Sequence, residues 1–156
     1  IGGGAWPAGE AEYNLGNDIH AANVVLASGI PLWQVPRNVY CKVRVSLAEL
    51  KRRVEPCGAV GRYLVHQLVD MNERWANHPG WPLGEMWSLG DSPAVGLVMN
   101  GHHYDYDLKP APRIAEDMSY VHGQTERQIR VYRDIDTRFT LEDMYAKLEL
   151  FSGRDQ

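Results

Sequence analysis

Cysteine is nearly absent: Cys41 and Cys57 are the only two in 156 residues. Two thiols do not make the disulfide framework on which small secreted domains depend, so reduced, partly buried thiols in a cytoplasmic protein are expected. No apolar run approaches the ~20 residues that span a bilayer, and no charged-then-apolar leader is present, so no membrane partner is expected. Basic charge is thin as well. With 16 Lys and Arg against 20 Asp and Glu the formal net charge is -4, whereas a nucleic-acid backbone requires a clustered basic surface. Arg52-Arg53 and the stretch Arg127 to Arg133 are the basic concentrations, and both lie among acids, as solvated faces do. Low-complexity tracts and internal repeats are missing too. What remains, 44% hydrophobic and 23% charged residues, suits a single soluble globular domain over residues 1–156. The chain opens on Ile1 rather than Met, which leaves room for a preceding segment.

Apolar spacing outlines an α/β chain. Ile19, Ala22, Val25 and Leu26 recur at helical intervals after Asn17-Asp18, with Gly29 as a left-handed stop. Ile30 to Val35 then predicts a buried strand, with Leu32 and Trp33 in the core. Ser46-Leu47-Ala48-Glu49 has the spacing of a capping box, and Pro56 closes the helix it opens. From Gly58 to about His78 the positions Val60, Leu64, Leu68, Met71 and Trp75 predict a long helix with a core-facing stripe. Asp91-Ser92-Pro93 reads as a helix start. Tyr104, Tyr106 and Leu108 alternate with His103, Asp105 and Asp107, and Arg127 to Val131 alternates again as an antiparallel partner. Thr140-Leu141-Glu142-Asp143 resembles a second capping box, opening a terminal helix lined by Leu141, Tyr145, Leu148 and Phe151.

The stretch Gly2 to Asn23 organises the functional reading. Three consecutive glycines let another strand or a ligand approach the backbone closely. If Glu12-Tyr13-Asn14 is extended, Glu12 and Asn14 project from one side and offer a polyol an acceptor and a mixed donor/acceptor. The alternative is that these acids and amides cap the following helix. Trp81 and Trp87 flank the far end of a Pro- and Gly-rich loop, where indoles either stack on a flat base or cover a core edge. His103, Asp105 and Asp107 together suggest a metal site, although same-side groups on one strand lie about 7 Å apart, too far for one ion, and a solvated edge strand is the alternative.

GGG followed by a short loop, Glu12-Tyr13-Asn14 and a helix opening Asn17-Asp18 resembles the middle of the inosine-uridine-preferring nucleoside hydrolases. Gly90-Asp91-Ser92-Pro93-Ala94-Val95 resembles that family's H-D-P-x-A-V segment. The resemblance covers nearly all of this chain but about the last half of a family member, and the family's D-x-D-x-x-x-D-D run is not in it. It implies a Rossmann-like layer: several helices on an incomplete sheet, with a C-terminal β-hairpin and helix. It further implies N-glycosidic hydrolysis of ribonucleosides, with Glu12, Asn14 and Asp91 on the ribose, Asp91 also on calcium, and Trp81 and Trp87 near the base. Calcium takes about six to eight oxygens, so Asp91 alone does not hold it, and Gly90 stands where many members carry a histidine acid. An isolated chain is therefore expected to be inactive until an N-terminal half completes the site. The alternative is a non-catalytic truncated domain that covers an exposed sheet edge by self-association or partner binding.

Overall fold

The computed structural model describes residues 1–79, 81, 84–100 and 105–153. In chain order the elements are α1 (Tyr13–Asn17), α2 (Ile19–Ala27), β1 (Trp33–Gln34), α3 (Arg37–Tyr40), β2 (Arg44–Ser46), α4 (Leu47–Arg53) and α5 (Gly58–Trp75). They continue with β3 (Met86–Ser88), α6 (Ser92–Met99), β4 (Tyr106–Pro110), β5 (Arg113–Ile114), β6 (Tyr120–Val121), β7 (Gln128–Tyr132) and α7 (Thr137–Ser152). The fold is thus mixed α/β with small sheets. Two compact units form, one from Ile1–Lys42 with Gly90–Asp136, the other from Val43–Leu89 with Thr137–Gln156. No helix among the described residues is long and apolar enough to cross a membrane.

The first unit is built on a three-stranded sheet in the order β1-β7-β4. Strand β7 takes β1 in parallel, with Trp33 beside Arg130, and β4 in antiparallel, from Tyr106 beside Tyr132 to Pro110 beside Gln128. The alternation of Arg127 to Val131 therefore found its expected antiparallel partner, and β4 is an edge strand. Between them β5 and β6 form a short antiparallel pair. One face of β7 supplies Ile129 and Val131 to a core with Leu26, Ala111, Ile114 and Tyr120, against which Trp6, Leu15, Ile19, Leu32 and Met118 pack. Asp18 caps α2 by accepting from the Ala21 amide at 2.8 Å. The stop differs from expectation: Ser28 ends the helix, its hydroxyl donating to the Val25 carbonyl, and Gly29 is not left-handed. The strand is also shorter than the Ile30 to Val35 run, and Trp33 is 43% exposed rather than core, because it lies on the sheet face opposite Ile129 and Val131.

The second unit pairs β2 with β3 in antiparallel and carries α4, α5 and α7. The Ser46–Glu49 capping box forms as the spacing predicts, with the Glu49 amide 3.0 Å from Ser46 Oγ. Helix α5 forms over most of its expected span, but its buried positions are Gly61 and Val65. The stripe expected in the core lies outward instead, with Val60, Leu64, Met71 and Trp75 each at least 36% exposed. Contact at Gly61 accounts for this orientation: a Cβ there would come within 1.9 Å of the Val54 carbonyl, so a close backbone approach, not side-chain bulk, sets the face. Helix α7 begins at Thr137, which puts Thr140 inside it as a buried residue rather than at a cap. Leu141 and Tyr145 are buried as expected, while Phe151 is exposed.

Candidate functional site

Glu12 is the centre of the first unit's loop region. It is extended itself (φ -145, ψ 140) and caps α1, so Asn14 is already helical and the two residues do not share one side of a strand. The Glu12 carboxylate is buried, at 6% exposure. Its Oε2 accepts from the Gly3 amide at 2.9 Å and the Leu15 amide at 3.1 Å, and its Oε1 accepts from the Tyr40 hydroxyl at 2.7 Å. Burial alone would push this carboxyl up, but hydrogen bonds from Tyr40 and the Gly3, Leu15 and Asn14 amides outweigh it and hold the carboxyl below its usual range. Burial and the same carboxylate push the Tyr40 hydroxyl far above its ordinary value, so it remains a donor. Here the capping alternative describes Glu12, with the difference that the residue is buried and not on a surface loop.

The glycines make this packing possible. Gly3 adopts φ +88, and a Cβ there would fall 2.0 Å from the Tyr120 hydroxyl. That hydroxyl donates to the Gly4 carbonyl at 3.0 Å and accepts from Gln34 Nε2 at 3.0 Å, while burial raises its pKa to about 12. Gln34 Nε2 also reaches the Gly2 carbonyl at 3.2 Å. A cavity of about 370 Å³ borders this wall and is lined by Gly2, Asn14, Leu15, Val25, Trp33 and Gln34 among others.

Asp91 lies in the same unit, exposed, at the N-cap of α6, with no side-chain capping bond. Tyr40 connects its neighbourhood to Glu12: a Cβ on Gly90 would come within 3.0 Å of the Tyr40 ring, whose hydroxyl holds Glu12. Asn14 is exposed. Trp81 and Trp87 belong to the second unit. Trp87 is 8% exposed, on β3 beside Val45, with its ring committed to the interior. Trp81 folds back on α5, its Nε1 donating to Asn72 Oδ1 at 3.0 Å and its ring 5.6 Å from that of Trp75.

His103 of the candidate metal strand lies outside the described residues. Asp105 and Asp107 each face Arg133, at 3.9 and 3.4 Å, and Asp107 also pairs with Lys109 at 3.5 Å. Among the described residues no group of three or more His, Cys, Asp or Glu is placed to hold a metal ion. Sequence reasoning missed Tyr40, Gln34 and Tyr120, because no local spacing marks a contact that joins residues 28 or 86 positions apart. Comparison of the chain with protein-family models and with curated proteins finds no match.

Proposed function

We propose that this chain contributes the sugar-binding wall of a nucleoside-hydrolase-type site that takes a ribonucleoside or a ribose-like molecule. The supporting observation is the Tyr40 bridge. It draws the Glu12 segment and the Gly90-Asp91 segment, the two blocks that resemble the family, to one neighbourhood in one unit. Breaking a glycosidic bond puts positive charge on the sugar, and a buried carboxylate held ionised supplies a fixed negative field toward it. Asn14 and Asp91, both exposed, are free to bond hydroxyls. A parallel pairing such as β1 with β7 is the kind on which a Rossmann-like layer is built.

Calcium does not fit the described residues on their own, since about six to eight oxygens are needed and no group of three or more His, Cys, Asp or Glu converges among them. Hydrolysis under this proposal depends on carboxylates brought by a further segment or chain. Cys41 and Cys57 form no disulfide, which accords with a cytoplasmic setting. Titration calorimetry with ribose, inosine and uridine, run beside a ribose-release assay in calcium, tests the reading. Saturable binding weakened about tenfold by Asn14→Ala or Asp91→Ala, with no release by the chain alone, is expected. Binding indifferent to both substitutions overturns the site, and release by the chain alone overturns the dependence on added carboxylates.

A second reading, self-association without catalysis, is favoured by the outward α5 stripe of Val60, Leu64, Met71 and Trp75 with Tyr63 at 62% exposure. Size-exclusion chromatography over a dilution series tests it. A dimer that Met71→Glu dissociates supports it, and a dilution-independent monomer refutes it.

A further inference from the structure

Three arginines lie on or beside β7, and their surroundings differ. Arg127 donates to the main-chain carbonyls of Leu26, at 2.8 Å, and Ile30. Arg133 faces Asp107 and Asp105. Among the described residues Arg130 has neither kind of acceptor. Its guanidinium carbon sits 4.6 Å from the centroid of the Trp33 ring on β1 and 4.7 Å from that of the Tyr106 ring on β4. Because β1 and β4 flank β7 on opposite sides, the cation is held between two rings. Tyr132, at 5.6 Å from Tyr106 and 6.3 Å from Trp33, completes the aromatic surround. Among the described residues no carboxylate is paired with Arg130.

Cation–π stacking uses the guanidinium's faces, and its N–H donors, which lie in its plane, meet no acceptor among the described residues. A forked, pre-aligned donor set is the geometry that takes a carboxylate or phosphate in two parallel bonds. Its rim is apolar and open: Trp33 is 43%, Tyr106 36% and Leu108 61% exposed, and Leu108 stands directly across from Arg130 in the strand register. Asp105 and Asp107 alternate to the other face of β4, where Arg133 engages them, and so do not compete.

We propose that the Trp33–Arg130–Tyr106 face binds a small organic anion, a carboxylate or phosphate ester on a flat apolar body. The anion lies against the guanidinium edge and the body lies on Leu108 and the exposed indole. This site shares Trp33 with the cavity that borders the Glu12 wall, but its cation and the rest of its rim, Arg130, Tyr106 and Leu108, do not line that cavity. Calorimetry with benzoate and with phenyl phosphate, and with benzyl alcohol as the neutral counterpart, tests it on the intact chain. Saturable binding of an anion at low salt is expected, with benzyl alcohol at least about tenfold weaker; the tighter of the two anions identifies the source as carboxylate or phosphate. Arg130→Gln is expected to lose binding at least about tenfold. Leu108→Glu changes an exposed residue, so it leaves the fold intact while placing a carboxylate opposite Arg130, and it is expected to abolish binding by occupying the fork. Failure of both anions to saturate by about 10 mM, equal binding of benzyl alcohol, or unchanged binding in Leu108→Glu overturns the proposal.

Discussion

The Tyr40→Phe substitution removes one oxygen, and its consequences follow from the bonds that oxygen makes. Tyr40 Oη stands 2.7 Å from Glu12 Oε1, and the carboxylate is 6% exposed, so water does not readily replace the lost donor. A hydrogen bond to an ionised buried acceptor contributes about 1.5–3 kcal/mol, and a loss of about 2 kcal/mol at pH 7 is expected. The pH dependence has a definite sign. Glu12's carboxyl is depressed in the fold, where burial is outweighed by the bonds from Tyr40, Gly3, Leu15 and Asn14. Its stabilisation is therefore present above the unfolded carboxyl range near ~4.3 and is lost as pH falls through the folded value. Without the Tyr40 hydroxyl the folded value rises, and the variant loses its share of that stabilisation at higher pH than the parent. Once the carboxyl is neutral in both, the difference shrinks to the ~0.5–1.5 kcal/mol of an uncharged bond. Urea unfolding of both proteins, stepped from pH 7 to about pH 3 and followed by circular dichroism, measures this. A difference that stays constant across that range, or none at pH 7, refutes the reasoning.

Gly3→Ala is expected to cost more than about 2 kcal/mol, because its Cβ meets an anchored tyrosine hydroxyl at 2.0 Å in a backbone region that side chains avoid; thermal unfolding reads the loss. Ser46→Ala dismantles the capping box of α4 and is expected to cost about 1 kcal/mol by urea unfolding. On α5, Leu64→Gln is expected to shift stability by under about 0.5 kcal/mol, since the side chain is 38% exposed. Val65→Ala, one residue on and buried at 4% exposure, is expected to cost about 2 kcal/mol; a larger cost at Leu64 than at Val65 would mean that the helix faces the other way.

Features carried by neighbouring residues were legible in the sequence. The Ser46–Glu49 box and the Asp18 cap involve residues three apart, and the turn that brings them together is made by the helix itself. The β4–β7 pairing was legible because side chains alternate along each strand. Facing was harder. The α5 period gave the helix, but Gly61 against the Val54 carbonyl decided which side turned inward, and a glycine carries no hydrophobic weight in such a pattern. Thr140 matched a capping spacing yet lies within α7, because burial of Thr140, Leu141 and Tyr145 along the helix outweighs a local end signal. At the candidate site, Glu12 and Asp91 were legible as polar residues near glycines and a proline. Tyr40, which connects their surroundings, was not, since a short helix after Pro36 gives no hint of a partner 28 positions earlier.

The parallel pair β1–β7 has a consequence for how the first unit comes to exist. Trp33 waits for Arg130, about a hundred residues downstream, and among the described residues no other strand flanks β1. On a ribosome the segment that holds β1 would emerge with its partner β7 still unsynthesised, and the closure that joins them is long and entropically late. Until β7 arrives, Leu26 and Leu32 have no Ile129 or Val131 to cover them, so the nascent chain is most prone to misassociation during that interval.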